Sequence, residues 1–161
     1  MCQACECEKT YTQEELTEAF RSAIEDRGRW FYLLHKYTPE GFDEIAEKAI
    51  TEFGIAKGKG LGECKTAKDF ANGILTGHAR EAFAMEPIKL EEDESVIKFR
   101  HCALVEAWKK LGCSKEEVAH LCDLACFGDF GMVSVFPELK LEFKQLLARG
   151  EECCEMVITK K

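Results

Sequence analysis

The sequence predicts an α+β domain: N-terminal helices followed by a small antiparallel sheet with helices inserted between its strands. Three observations carry this. Apolar residues recur at helical spacing from Leu16 to Phe53. The period changes to alternation just after Pro87. Two further strand-like runs, Leu139–Leu147 and Cys154–Thr159, close the chain around a turn at Arg149-Gly150. No internal repeat is visible.

Residues 1–10 read as a disordered tail ahead of a single domain spanning 11–161. Cys2, Cys5 and Cys7 supply three soft ligands there, whereas a structural zinc site uses four, held by folded elements. The first helix starts at Thr12, where T-x-x-E to Glu15 forms a capping box. Its apolar stripe is Leu16, Ala19, Phe20, Ala23, Ile24, Phe31 and Leu34, with Gly28 placed to bend it. Pro39-Glu40-Gly41 ends the run. A second helix carries Phe42, Ile45, Ala46, Ala49, Ile50 and Phe53, with Gly54 as its expected stop.

The stretch GIAKGKGLGECK invites a phosphate-loop reading, which fails. Such a loop is G-x-x-x-x-G-K-[ST], but Gly60 follows Lys59 and Phe53 stands five before Gly58. The expectation is therefore a flexible connector or lid. A third helix is expected from Thr66 towards Met85, with Gly73, Gly77 and His78 inside it. Glycines at that spacing let a ligand or another element approach the backbone, so His78 is a candidate ligand contact beside its plainer structural reading.

Ile88-Lys89-Leu90 and Val96-Ile97-Lys98-Phe99 flank the acidic turn Glu91–Glu94 and read as a hairpin. The four carboxylates lack calcium-loop spacing. A short helix follows from Ala103 to Leu111, ending at Gly112. The box S-x-x-E from Ser114 to Glu117 starts another, with Val118, Leu121, Cys122 and Ala125 on one face, ending by Pro137.

At 161 residues the chain is long enough to bury a core without disulfide staples. With 22 Lys and Arg against 30 Asp and Glu the net charge is −8. That balance disfavours nucleic acid, and no basic stripe offsets it. No run reaches the roughly 18 apolar residues of a membrane span, and MCQACECEK has no signal-peptide pattern. A cytoplasmic protein without nucleic-acid or membrane partners is expected, its ten cysteines free thiols. The sequence is silent on oligomeric state.

The chemistry-bearing groups concentrate in the last third. Cys122, Cys126 and Asp129 share one helical stripe at i, i+4 and i+7. A core reading covers Cys122 well and Cys126 in part, but not Asp129, since a buried carboxylate is costly without a partner. Cys102 begins a helix, where free N–H groups lower a thiol pKa, and is the candidate nucleophile. His101 precedes it; on a continuing strand the two would face opposite ways. Cys153 and Cys154 are expected to point one inward and one outward. A non-catalytic alternative has Cys102, Cys122, Cys126 and Cys153 holding zinc or an iron–sulfur cluster.

The C-terminal stretch from Ser95 to Ile158 resembles the L-2-amino-thiazoline-4-carboxylate hydrolase-like family. The residues behind this are Arg100-His101-Cys102 ahead of EAWKKLG (Glu106 to Gly112), Cys122 with Cys126 and Asp129, Phe136-Pro137, and LARGEECC (Leu147 to Cys154). The close at Gly150 to Cys153 also looks like that of the vinyl-reductase-type small-molecule-binding domain. Ala103 stands where the family often has proline. The resemblance implies a hydrolase opening a C–N bond in a small cyclic amidine or thiazoline carboxylate. Cys102 or an Asp129-activated water would attack, His101 would move the proton, and Arg100 or Lys98 would hold the substrate carboxylate. His78 and Cys122 would complete the substrate contacts, and no cofactor is expected.

Overall fold

The computed structural model describes residues 10–161; Cys2, Cys5 and Cys7 lie outside the described residues. Helix α1 (Gln13–Tyr37) opens with the expected box: Thr12 Oγ1 accepts from the Glu15 N–H while Glu15 accepts from the Thr12 N–H. Helices α2 (Phe42–Gly60), α3 (Ala67–Ile74) and α4 (Gly77–Ala82) follow. The hairpin is β1 (Met85–Leu90) and β2 (Glu94–Phe99), then come α5 (Ala103–Lys110) and α6 (Lys115–Ser134). Strand β3 (Leu139–Gln145), a turn of 3-10 helix and β4 (Cys154–Lys160) complete the chain. The four strands form one antiparallel sheet in the order β1-β2-β4-β3. The fold is the α+β arrangement that the sequence predicts.

Two expectations are corrected. Gly54 does not stop α2, which runs on to Gly60, so the glycine-rich stretch is helix rather than a flexible lid. The reason is tertiary: a Cβ on Gly54 would lie 2.1 Å from the Gly128 carbonyl oxygen, and one on Gly58 would lie 2.3 Å from that of Met132. From the other side, a Cβ on Gly131 would lie 2.4 Å from the Thr51 oxygen. The glycines let α2 and α6 meet backbone to backbone, and that packing outweighs their poor helix propensity. The second correction is the expected third helix, which is broken at Leu75-Thr76 into α3 and α4.

Gly28 lies inside one continuous helix, α1. It is buried against Ala107 and Leu104 of α5, and its carbonyl accepts from Trp108 Nε1 at 2.9 Å. Trp108 is almost wholly buried, so this bond satisfies the one polar atom of a large apolar side chain.

The sheet has an inner and an outer face. Register pairs Phe99 with Cys154, Ile97 with Met156 and Ser95 with Ile158, so these residues share one face. That face packs on Phe70 of α3 and on Val133 and Phe136 at the end of α6. The alternate residues Lys98 and Glu155 face the other way and pair at 3.1 Å. A second core forms around Trp108, Val118 and Leu121. Among the described residues no helix is long and apolar enough to cross a membrane.

Candidate functional site

Residues of α1, α2, α3, α5 and α6 and of the inner face of the sheet enclose a cavity of about 560 Å³. That volume suits a small-molecule ligand. Its walls are mostly hydrocarbon and aromatic, including Phe31, Phe70, Phe83, Phe99 and Phe143. Into this apolar space project His101, Cys102, Cys122, Cys126, Asp129 and Cys154.

Asp129 reaches the cavity because α6 stays regular through Gly128, which keeps it in register with Cys122 and Cys126. Burial pushes its carboxyl up to about 6; Lys57 and Arg27 pull in the opposite direction without cancelling that effect. His101 and Cys102 line the same cavity because β2 ends at Phe99, so strand alternation no longer separates them. His101 Nε2 is buried with no hydrogen-bond partner among the described residues. Burial, then the nearby Arg21 charge, hold the imidazole below its ordinary pKa and therefore neutral at pH 7.

Cys102 is the N-cap of α5, as expected. Its thiol is nevertheless not activated. Burial pushes it up to about 11, and the hydrogen bonds from the Val105 and Leu104 N–H groups recover only part of that. Cys154 is likewise pushed up by burial, to about 12. In the Cys122–Cys126 pair, the hydrogen bond between the sulfurs lowers Cys122 and raises Cys126. Brief alkylation of the native protein at pH 7, mapped by peptide mass spectrometry, should therefore spare Cys102 and Cys154 and label Cys122 ahead of them. Modification of Cys102 first would contradict the burial argument.

Four sequence candidates fall outside the cavity. Lys98 lies on the outer face and pairs with Glu155. Arg100 pairs with Glu86 at 2.9 Å on the surface. His78 is exposed and stacks on Phe20 with ring centroids 4.4 Å apart. Cys153 is buried away from the cavity, its thiol donating to Gln145 Oε1 at 3.2 Å. Both members of the Cys153-Cys154 pair are buried, so neither turns out to solvent. All seven described cysteines are free thiols. Among the described residues, no three of Cys102, Cys122, Cys126 and Cys153 bring their sulfurs within 4.8 Å of one another.

Two cations of the site escaped the sequence reading. Arg27 of α1 and Lys57 of α2 line the cavity while remaining exposed, which places its mouth between those helices. The Lys57 ammonium lies 5.5 Å from the ring centre of Phe53, itself half exposed at that rim. Among the described residues neither cation has a carboxylate partner. The one signal in the sequence is that each adjoins a packing glycine, Gly28 and Gly58.

The sequence profile of the L-2-amino-thiazoline-4-carboxylic acid hydrolase family matches residues 28–158. The chain belongs to this family. The match begins well before the Ser95–Ile158 stretch that carries the resemblance, and takes in the C-terminal part of α1, all of α2 and every cavity-lining thiol. Arg27 lies one residue ahead of it. No curated protein matches the chain. Solved structures similar to it include a trafficking protein particle complex subunit 3 from Naegleria fowleri covalently bound to palmitic acid. That structure is 17% identical, with a TM-score of 0.43, over 90% of this chain and 82% of the other.

Proposed function

We propose that the cavity binds a small cyclic amidine or thiazoline carboxylate and hydrolyses its C–N bond. The observation that carries this is the placement of Asp129, His101 and Cys102 in one apolar cavity whose mouth holds two cations, Arg27 and Lys57, without carboxylate partners among the described residues. A carboxylate substrate would be drawn to Arg27 and Lys57, with bidentate pairing available at the guanidinium. Its ring would enter the hydrocarbon interior.

Of the two nucleophiles considered from sequence, the burial of the thiol favours water. A carboxyl titrating near 6 is ionised at pH 7 yet basic enough to accept a proton from water. Water adds to the amidine carbon as Asp129 takes its proton, giving a tetrahedral centre. Collapse of that centre breaks the ring C–N bond, and the departing nitrogen takes a proton passed through His101. The ring opens to a carbonyl compound carrying a new amine. Cys102 sits beside this chemistry as a neutral thiol.

Incubation of the protein with 2-aminothiazoline-4-carboxylate, followed by mass spectrometry and amine and thiol assays, tests the reading. A mass gain of one water with a new primary amine is expected. A new thiol instead would mean the C–S bond opens, and absence of any product would contradict the hydrolase reading. Arg27→Ala and Lys57→Ala should each raise KM by about tenfold, the worth of one charge-assisted contact, with a smaller effect on kcat. A second reading, a binding module without turnover, is favoured by the apolar lining. It leaves the same two variants weakened in ligand binding while no product forms.

A further inference from the structure

Three helices bring a second group of reactive side chains together outside the cavity. His35 stands in the last turn of α1, Asp43 in the first turn of α2, and His120 in the first half of α6. One potential ligand atom from each lies within 4.8 Å of the other two. His120 Nε2 is 3.1 Å from Asp43 Oδ1, close to the roughly 3.3 Å edge of a tetrahedron with 2.0–2.1 Å metal bonds. The His35 and His120 rings are 5.5 Å apart, and His35 is steadied edge-on against Phe42 at 5.2 Å. None of the three lines the cavity.

We propose that His35, Asp43 and His120 form a divalent transition-metal site of the zinc or cobalt class. Helix dipoles account separately for a basic residue ending α1 and an acidic one starting α2. They do not account for a second imidazole delivered to the same point from α6. Two neutral imidazoles and one carboxylate suit borderline cations such as zinc, cobalt or nickel rather than calcium or magnesium, which take oxygen ligands. The His120 and Asp43 side chains are 43% and 56% exposed, so the fourth position of a tetrahedral ion would face solvent and hold water. The ligands sit on helices, and the two that carry Asp43 and His120, α2 and α6, are locked together by backbone contact. The ion would tie the α1–α2 turn to α6.

The test is titration of tag-free, reduced, chelator-stripped full-length protein with cobalt(II), followed by visible absorption and by melting temperature. The expected result is one equivalent bound with tetrahedral d–d bands and no sulfur-to-cobalt charge-transfer band, together with a raised melting temperature. His35→Ala, His120→Ala and Asp43→Asn should each weaken binding at least about tenfold while leaving the far-ultraviolet spectrum unchanged. No saturable binding, thiolate bands, or unchanged affinity in the three variants would each overturn the proposal. Absence of a melting shift would overturn the helix-tying role.

Discussion

Asp129→Asn is expected to lower kcat by about 10² to 10⁴-fold, the range for losing a positioned base, and at the same time to stabilise the protein. The two effects share one cause. The folded-state carboxyl titrates near 6, above its ordinary 3.8, so between those values the folded state binds more protons than the unfolded one. Stability therefore falls as pH rises through that window, and the loss is complete above it. A shift of this size corresponds to about 3 kcal/mol. Asparagine keeps the shape without the charge, so urea unfolding at pH 7.5 should show a gain of about 1–3 kcal/mol that fades towards pH 4. For the native protein kcat/KM should rise with pH through about 6, where the Asp129 carboxyl titrates. Full activity, or a loss of stability at neutral pH, would contradict the role given to this residue.

Gly54→Ala is expected to be the most damaging small substitution in the helical layer. On propensity alone it would stabilise α2 by about 1 kcal/mol. Packing reverses the sign, because the new Cβ would meet the Gly128 carbonyl oxygen at 2.1 Å, and backbone cannot rotate out of the way. Relief requires α2 and α6 to separate, at a cost of about 3 kcal/mol or more. Since Gly128 precedes Asp129, the same displacement would disturb the cavity and reduce any turnover. Gly60→Ala is the control: nothing lies within 4 Å of its added Cβ, so it should be neutral or mildly stabilising. Denaturant midpoints that place Gly54→Ala within about 0.5 kcal/mol of the native protein, a surface-like effect, would remove the close-packing account.

The capping boxes at Thr12 and Ser114, and the helix start at Thr66, were legible because their hydrogen bonds are local and depend on few neighbours. The hairpin was legible for the same reason. The Cys122–Cys126–Asp129 stripe followed from helical spacing, and the structure keeps it on one side of α6, facing the cavity. Gly54 was misread as a stop because propensity is a local quantity and its helix is held by a partner far away in sequence. The four-residue spacing of Gly54 and Gly58 was the available signal for that partner. Cys102 was misread in charge for a related reason: the helix terminus acts as predicted, but desolvation in the assembled cavity is larger. Lys98 could have been set aside from sequence, since it alternates with the core-facing Ile97 and Phe99. Arg27 and Lys57 could not be placed, because the mouth they share exists only once α1 and α2 have packed.

The carbon-13 shift of the Asp129 carboxyl, followed from pH 3 to pH 9, tests the central claim most directly. A midpoint near 6 is expected for a carboxyl enclosed by the cavity and only partly compensated by Arg27 and Lys57. A midpoint at or below its ordinary 3.8 would mean that the group is solvated or paired, and the proposed site would lack its base.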